Sequence, residues 1–290
     1  MRLETLIGEP WDDYGLIDSG DGRKFERYGS VRIVRPEPQA MWMPAKPRWL
    51  PDAEFIPGAD EDGGGRWDYA RPLPQIGWPL AWNALRFTAQ TTPFRHLAFF
   101  PDMMPVWEWG LAALGNGAAP QCLNLFGYTG VGSLALASRG AHVTHVDASK
   151  KAVAAGKANA ALSGLADRPM RWMIDDAGKF VAREVRRARR YDAIILDPPK
   201  YGRGPDGEVW QIERDLAPLL HDVRRLVDGE SRFVFLTVYA LRLSALALGE
   251  LMRQVFGDLP GRVEAGELAL REEARGLVLP TAIWARWIND

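Results

Sequence analysis

From about residue 105 the chain alternates short apolar runs with stretches of helical spacing, and nothing else in its 290 residues restricts the fold as much. QCLNLF, HVTHVDA, RWMIDD, YDAIILD and SRFVFLTVY read as successive strands. Between them, GSLALASRG, SKKAVAAGKANAALSG, KFVAREVRRARR and IERDLAPLLHDVRRLV read as helices. Strands separated by helices can pair in parallel, because each helix carries the chain back across the sheet. The expected fold class is α/β, a Rossmann-like doubly wound sheet with a small β-rich region before it. Near the C-terminus, ARGLVLPTAIWARWI predicts a last hairpin, with Pro280 marking a turn or an edge.

Residues 1–80 are of another kind, rich in Pro, Gly and Trp. YGLIDSGDGRKFERYGSVRIVRP has short apolar runs broken by Gly and Asp, which predicts a small β-meander with tight turns. Segment 51–79 reads as a long loop or linker. The composition changes between residues 85 and 105, so the expected division is 1–85, a small β-rich N-terminal domain with its linker, and 86–290, the larger domain.

With 47% apolar and 25% charged residues the chain has the make-up of a folded globule. A net charge of -1 excludes a uniformly basic surface and leaves room for a local basic face. The single cysteine cannot form an internal disulfide, and no clustered Cys/His spacing offers a metal site, so no metal is expected. The segment MRLETLIGEPWDDYG carries charges where a signal peptide needs an apolar run, and no stretch approaches about 18 uninterrupted apolar residues. These readings predict a cytoplasmic chain that does not engage a membrane.

Four segments carry chemistry. The first strand runs through Leu123, Asn124 and Leu125 into Phe126-Gly127-Tyr128-Thr129-Gly130 and then a helix. Glycines let a backbone approach a ligand closely, and a helix N-terminus presents N–H groups without helical acceptors, although a merely tight connection uses the same residues. The second strand ends in Asp147, followed by Ala148 and Ser149, where an open α/β sheet places the carboxylate that binds a ribose diol. The third ends in Asp175-Asp176 before Ala177; one carboxylate can accept from an adenine amino group or cap the next helix, and both roles can coexist.

The fourth strand ends in Asp197-Pro198-Pro199-Lys200-Tyr201. Two prolines stiffen the backbone and remove N–H donors, so the Asp carboxylate and adjacent carbonyls can be aimed at a substrate. The glycine turn lacks the full G-x-G-x-x-G spacing that cradles a pyrophosphate, which argues against a dinucleotide.

NLFGYTGVGSLALASRGA, THVDASKKAVAAGKANAALSGL and LDPPKYGRG resemble the class I methyltransferases related to the bacterial 23S (large-subunit) ribosomal RNA methyltransferases of the cytosine-5 type. LIDSGDGRKFERYG and RHLAFFPDM extend the resemblance over most of the chain. The resemblance implies a class I methyltransferase sheet and S-adenosylmethionine as methyl donor. It implies Gly127 and Gly130 near the methionine end, Asp147 on the ribose and Asp176 near the adenine. It also implies that Phe99 to Asp102, Phe100 and Asp102 among them, line the cofactor or acceptor side. Asn124, Phe126, Tyr128, Thr129, Ala148, Ser149, Asp175, Ala177 and Asp197 complete the expected cofactor set.

Cytosine-5 methylation requires a nucleophile at C6 of the ring, ordinarily a cysteine thiolate, which the resembling family carries after its fifth strand. Here that stretch is Phe235-Leu236-Thr237-Val238-Tyr239-Ala240, without cysteine. Cys122 stands at the start of the first strand, where an inert buried thiol is expected. The expected reaction is therefore transfer to a nitrogen or an oxygen, a direct displacement in which the protein aligns donor and acceptor. Asp197 and the Pro198 carbonyl are candidates to orient an acceptor amine, with Pro199 stiffening the turn. Lys200 shapes the pocket, contacts a phosphate or lies along the surface. Tyr201 stacks on a base or packs against the loop.

An RNA substrate, ribosomal RNA in particular, is the expected partner. Trp42, Trp49, Trp67, Trp78 and Trp82 stand among Arg and Lys residues, a mixture that can stack on unpaired bases or bury the small domain. The basic run REVRRARR at 183–190 is either a solvated helix face or a nucleic-acid footprint. Two rival readings keep the fold: methylation of a protein or small molecule, and a catalytically silent RNA-binding relative.

Overall fold

The computed structural model describes residues 3–58, 64–115, 119–239 and 243–289. β1 (Leu3–Gly8) precedes a meander of β2 (Tyr14–Gly20), β3 (Arg23–Tyr28) and β4 (Val31–Pro36). β5 (Ala53–Pro57) runs parallel to β4, and β6 (Gly65–Tyr69) pairs antiparallel with β5, closing a five-stranded sheet. β7 (Trp78–Trp82) and β8 (Leu85–Ala89) form a separate hairpin. A 3-10 turn at Pro101–Met103 leads into α1 (Met104–Leu114).

The second half runs β9 (Gln121–Leu125), α2 (Val131–Ser138), β10 (His142–Asp147), α3 (Lys150–Leu162), β11 (Met170–Ile174), α4 (Ala177–Arg186) and β12 (Ala193–Leu196). There follow β13 (Tyr201–Arg203), β14 (Val209–Gln211), α5 (Ile212–Arg224), β15 (Phe233–Tyr239), α6 (Ala245–Phe256), β16 (Arg262–Arg271) and β17 (Val278–Ile288). The large sheet has the order β1-β16-β17-β15-β12-β9-β10-β11. From β15 to β11 all neighbours are parallel, and β17 is antiparallel to β15.

The local reasons are ordinary. Every residue of β12 is buried, as are the first six of β15, as expected of central strands covered on both faces. α4 buries Ala177, Phe180, Val181 and Glu184, the i, i+3, i+4, i+7 stripe of a helix lying on a sheet. Ser149, Asp176 and Ser244 cap the N-termini of α3, α4 and α6 through their side-chain oxygens.

Two sequence readings are corrected. Segment 51–79 is not a long loop: it contains β5, β6 and the start of β7, with 59–63 outside the described residues. β6 escaped because four of its five residues are exposed, so it has no apolar alternation to read. The last hairpin is not internal to ARGLVLPTAIWARWI, because that segment holds the single strand β17, whose neighbours β16 and β15 both lie upstream. Pro280 lies inside β17, before its pairing with β15 begins at Ala282, so no N–H is missed on that side.

The chain forms two compact units. One comprises Met1–Leu6, Val106–Glu267 and Ala282–Asp290; the other comprises Ile7–Pro105 and Leu268–Thr281. Within the second unit, Asp18 is fully buried and accepts from the N–H groups of Ser19, Ala45 and Lys46, the Trp49 indole and Arg275. Glu272 takes the Ser19 hydroxyl and both ends of the Arg275 fork.

Candidate active site

The strand order β11-β10-β9-β12-β15 changes direction between β9 and β12. Ligands of open α/β sheets bind outside the carboxyl ends of the strands at such a switch point. All the chemistry-bearing segments of the first unit lie at those ends. The loops leave the strands still stitched together: Gly127 N–H donates to Val146 O at 3.0 Å, Asp175 N–H to Asp147 O at 3.1 Å and Asp197 N–H to Leu125 O at 3.4 Å.

The glycine turn is held under strain. Phe126 and Tyr128 both adopt left-handed backbone, at φ 57° and 48°, and Gly130 follows at 81°. For residues with a side chain that conformation costs about 1–2 kcal/mol each, an expense typical of ligand-binding turns. Asp147 helps to hold it, accepting from Tyr128 N–H and Ser149 N–H at 2.8 Å each. Burial pushes its carboxyl above the ordinary range, against the pull of those two donors. Each oxygen keeps a further lone-pair direction for a ligand hydroxyl.

Beneath the turn lies His145, fully buried, with its Nδ1 2.9 Å from Ser133 Oγ. Ser133 Oγ accepts from Asn124 Nδ2 and so links Asn124 to the imidazole. A Cβ on Gly127 would stand 2.5 Å from this ring, so only glycine fits there. Burial pushes the His145 imidazole down to about 4. Asn124 thus braces the turn from below, and Thr129 O is tied to Asn159 Nδ2 at 3.0 Å.

Of the pair after β11, Asp176 caps α4 by accepting from Lys179 N–H, and Asp175 pairs with Arg183. Ala177 begins α4, and Ala148 joins Asp147 to Ser149.

Across the switch point, Asp197 Oδ1 accepts from Thr237 Oγ at 2.5 Å, and Thr237 is fully buried in β15. The register Leu196↔Leu236 brings the two together, since Asp197 follows the end of β12 and Thr237 is the next residue of β15. The prolines are fixed by Trp210, whose indole N–H donates to Pro199 O at 2.7 Å while its ring packs 5.0 Å from Phe126. Lys200 O accepts from Ile212 N–H, and the Tyr201 ring is exposed. Sequence reasoning missed the roles of His145, Ser133 and Trp210, which are visible only once the strands are in register.

Cys122 is buried, pairs with Ala193 at the start of β12, and its thiol is pushed up to about 12 by burial. It stands three residues before the end of β9, about 10 Å at the usual strand rise. Ala240 lies outside the described residues. Phe100 and Asp102 belong to the other unit: Phe100 precedes the 3-10 turn with its ring 5.5 Å from His96, and Asp102 is buried. The tryptophans of that unit are tied down within it. Trp42 donates to Ser19 O, Trp49 to Asp18, Trp67 to Thr92 O and Trp78 to Tyr28 O, and Trp82 is buried. In the basic run, Arg187 pairs with Glu184 and Arg190 with Asp228. Among the described residues, no group of three or more His, Cys, Asp or Glu side chains is placed to hold a metal ion.

The chain is similar over nearly its whole length to a solved S-adenosylmethionine-dependent methyltransferase from Agrobacterium tumefaciens. The two share 42% identity over 99% of this chain and 94% of that one, with a TM-score of 0.93. This chain belongs to the S-adenosylmethionine-dependent methyltransferases. A second methyltransferase, from Streptococcus mutans, shares the fold at a TM-score of 0.70 and 17% identity, covering 92% of this chain and 73% of its own. A family model described as conserved hypothetical protein 95 matches residues 108–210 of this methyltransferase.

Ribosomal RNA large subunit methyltransferase K/L of Methylococcus capsulatus is 35% identical over 118 residues, 40% of this chain and 16% of the relative. Ribosomal RNA large subunit methyltransferase I of Alteromonas mediterranea is 36% identical over 80 residues, 27% of this chain and 20% of the relative. This methyltransferase therefore spans only 16% to 20% of the length of these two curated relatives. No helix among the described residues is long and apolar enough to cross a membrane.

Proposed function

We propose that this methyltransferase modifies an RNA, ribosomal RNA in particular, at a nitrogen or oxygen acceptor. The observation that carries the reading is the meeting of a glycine turn, Asp147 and Asp197-Pro198-Pro199 around one switch point of the sheet. Relatives named as ribosomal RNA methyltransferases support the RNA acceptor.

The residues fit the cofactor. Glycine at 127 leaves the strained turn open to close approach, and Asp147 offers two acceptor oxygens for a ribose diol. Asp176, with the start of α4 behind it, suits the adenine side. When bound, S-adenosylmethionine supplies a methyl group on a sulfonium: its carbon–sulfur bond breaks with the electron pair staying on sulfur as the acceptor's lone pair forms the new bond, and the acceptor's proton leaves to water.

The chain's own part is alignment. Asp197, held by Thr237, accepts a hydrogen bond from an acceptor amine or hydroxyl, and the Pro198 carbonyl takes a second. Lys200 and Tyr201 flank the acceptor. Transfer of this kind needs no covalent nucleophile, which accords with the lack of cysteine in the Phe235–Tyr239 segment and the position of Cys122.

Isothermal titration with S-adenosylmethionine, followed by labelled-methyl transfer onto ribosomal RNA, tests the reading. Asp147→Ala should weaken cofactor binding tenfold or more, about 1.4 kcal/mol. A folded wild-type protein that does not bind the cofactor, or that places the label on protein and not RNA, would overturn it.

A further inference from the structure

Beyond the catalytic turn, β13 and β14 form a two-stranded ribbon whose faces differ in kind. Directly opposite residues of an antiparallel pair share a face. The register Tyr201↔Gln211, Gly202↔Trp210 and Arg203↔Val209 therefore puts Tyr201, Gln211, Arg203 and Val209 on one side and Gly202 with Trp210 on the other. The inner face is committed: Trp210 is buried against Phe126 and holds Pro199 O. The outer face is exposed at all four positions, with Tyr201 at 47% and Val209 at 39%.

A short ribbon of this sort is marginal in water without something to lie on, and the inner face accounts for its stability. Nothing about folding requires an aromatic ring and a guanidinium side by side on the outside. Among the described residues neither Arg203 nor the adjacent exposed Lys200 is in an ion pair, while the acids around them are largely matched: Glu208 by Lys179 and Asp215 by Arg214, with Asp206 at the ribbon's tip. An exposed ring with an unmatched guanidinium on its own face, and an exposed unpaired ammonium on the residue before it, suits a polyanion that also presents flat π-faces, which is single-stranded nucleic acid. Duplex RNA offers its backbone and shallow groove but no base face, and would leave Tyr201 without a partner.

We propose that the outer face of the β13–β14 ribbon grips unpaired ribonucleotides flanking the acceptor, Tyr201 stacking on a base while Arg203 meets a phosphate. The proposal rests on the RNA reading above and adds the substrate form, single-stranded, and the surface that holds it. Because Trp210 ties the ribbon to Pro199, nucleotides held there are delivered beside Asp197.

The test is fluorescence anisotropy of the full chain with a short fluorescein-labelled single-stranded RNA across a salt series, with unlabelled duplex RNA as competitor and cofactor titration as a check on folding. Tyr201→Ala should weaken RNA binding fivefold or more, Tyr201→Trp should restore it, and Arg203→Ala should reduce the slope of log affinity against log salt by about one. Cofactor affinity should stay within twofold in all three, and the duplex should compete poorly. Wild-type binding that both alanine variants leave intact would overturn the ribbon proposal while the RNA reading stands. A wild-type chain that binds cofactor but no RNA, and labels protein, would overturn the RNA reading and the ribbon proposal with it.

Discussion

Among the described residues the Thr237 hydroxyl donates only to the Asp197 carboxylate and, at 3.4 Å, to the Leu196 carbonyl beside it. Thr237→Val keeps the shape and removes the donor, so kcat should fall about tenfold, the worth of one hydrogen bond to a charged group, with cofactor affinity unchanged. Thr237→Ser should recover most of the rate, which a packing defect would not allow; single-turnover methyl transfer is the measurement. His145 makes a different prediction, about acid. Its folded value near 4 lies below the ordinary 6.5, so between those values the unfolded chain binds the proton more readily. The stability it supports is complete above pH 6.5 and lost as pH falls toward 4, on the order of 3 kcal/mol. Urea midpoints at neutral and acid pH should converge more closely in His145→Asn than in the wild type. At this scale the sequence made legible the place of Asp147 at the end of β10, because a carboxylate closing an apolar run stands out. It was silent about Thr237, because its contact follows from the pairing Leu196↔Leu236, which no local pattern encodes.

Among elements, those buried on both faces were the most directly legible. β9, β10, β12 and β15 are apolar runs with helices between them, and periodicity reads them directly. β6 and the β13–β14 ribbon were not, since exposed side chains and three-residue strands leave no period to detect. The far edge of the large sheet depends on a clamp that sequence does not reveal either. Arg286 of β17 lies between Trp109 of α1 and Trp284, 4.2 and 4.6 Å from their ring centroids. Its fork also reaches Glu264 of β16 and Glu4 of β1, so one buried side chain joins three strands and a helix. Lysine keeps the charge but neither the planar stack nor the fork. Arg286→Lys should lower the unfolding free energy by about 2 kcal/mol, read from urea titration, with cofactor binding per folded molecule unchanged.

For the whole molecule the telling feature is that Leu268–Thr281 belongs with Ile7–Pro105. Composition gives no hint of it, because a strand turn that closes on a distant segment looks like any other turn. Glu272 and Arg275 complete the network around Asp18 and Ser19. A fragment of residues 7–105 would leave the buried Asp18 carboxylate without its cation. It should show no cooperative melting by circular dichroism, and adding a peptide of residues 268–281 should raise its ordered content. A fragment that melts sharply by itself would refute this. The same arrangement sets a timetable during synthesis. Residues 7–105 are made before their closing piece, which follows only after residue 267 has been added, roughly 10 to 30 seconds later at about 5 to 20 residues per second. Through that interval the earlier segment lacks its partner, so a piece made about 160 residues later is what locks it.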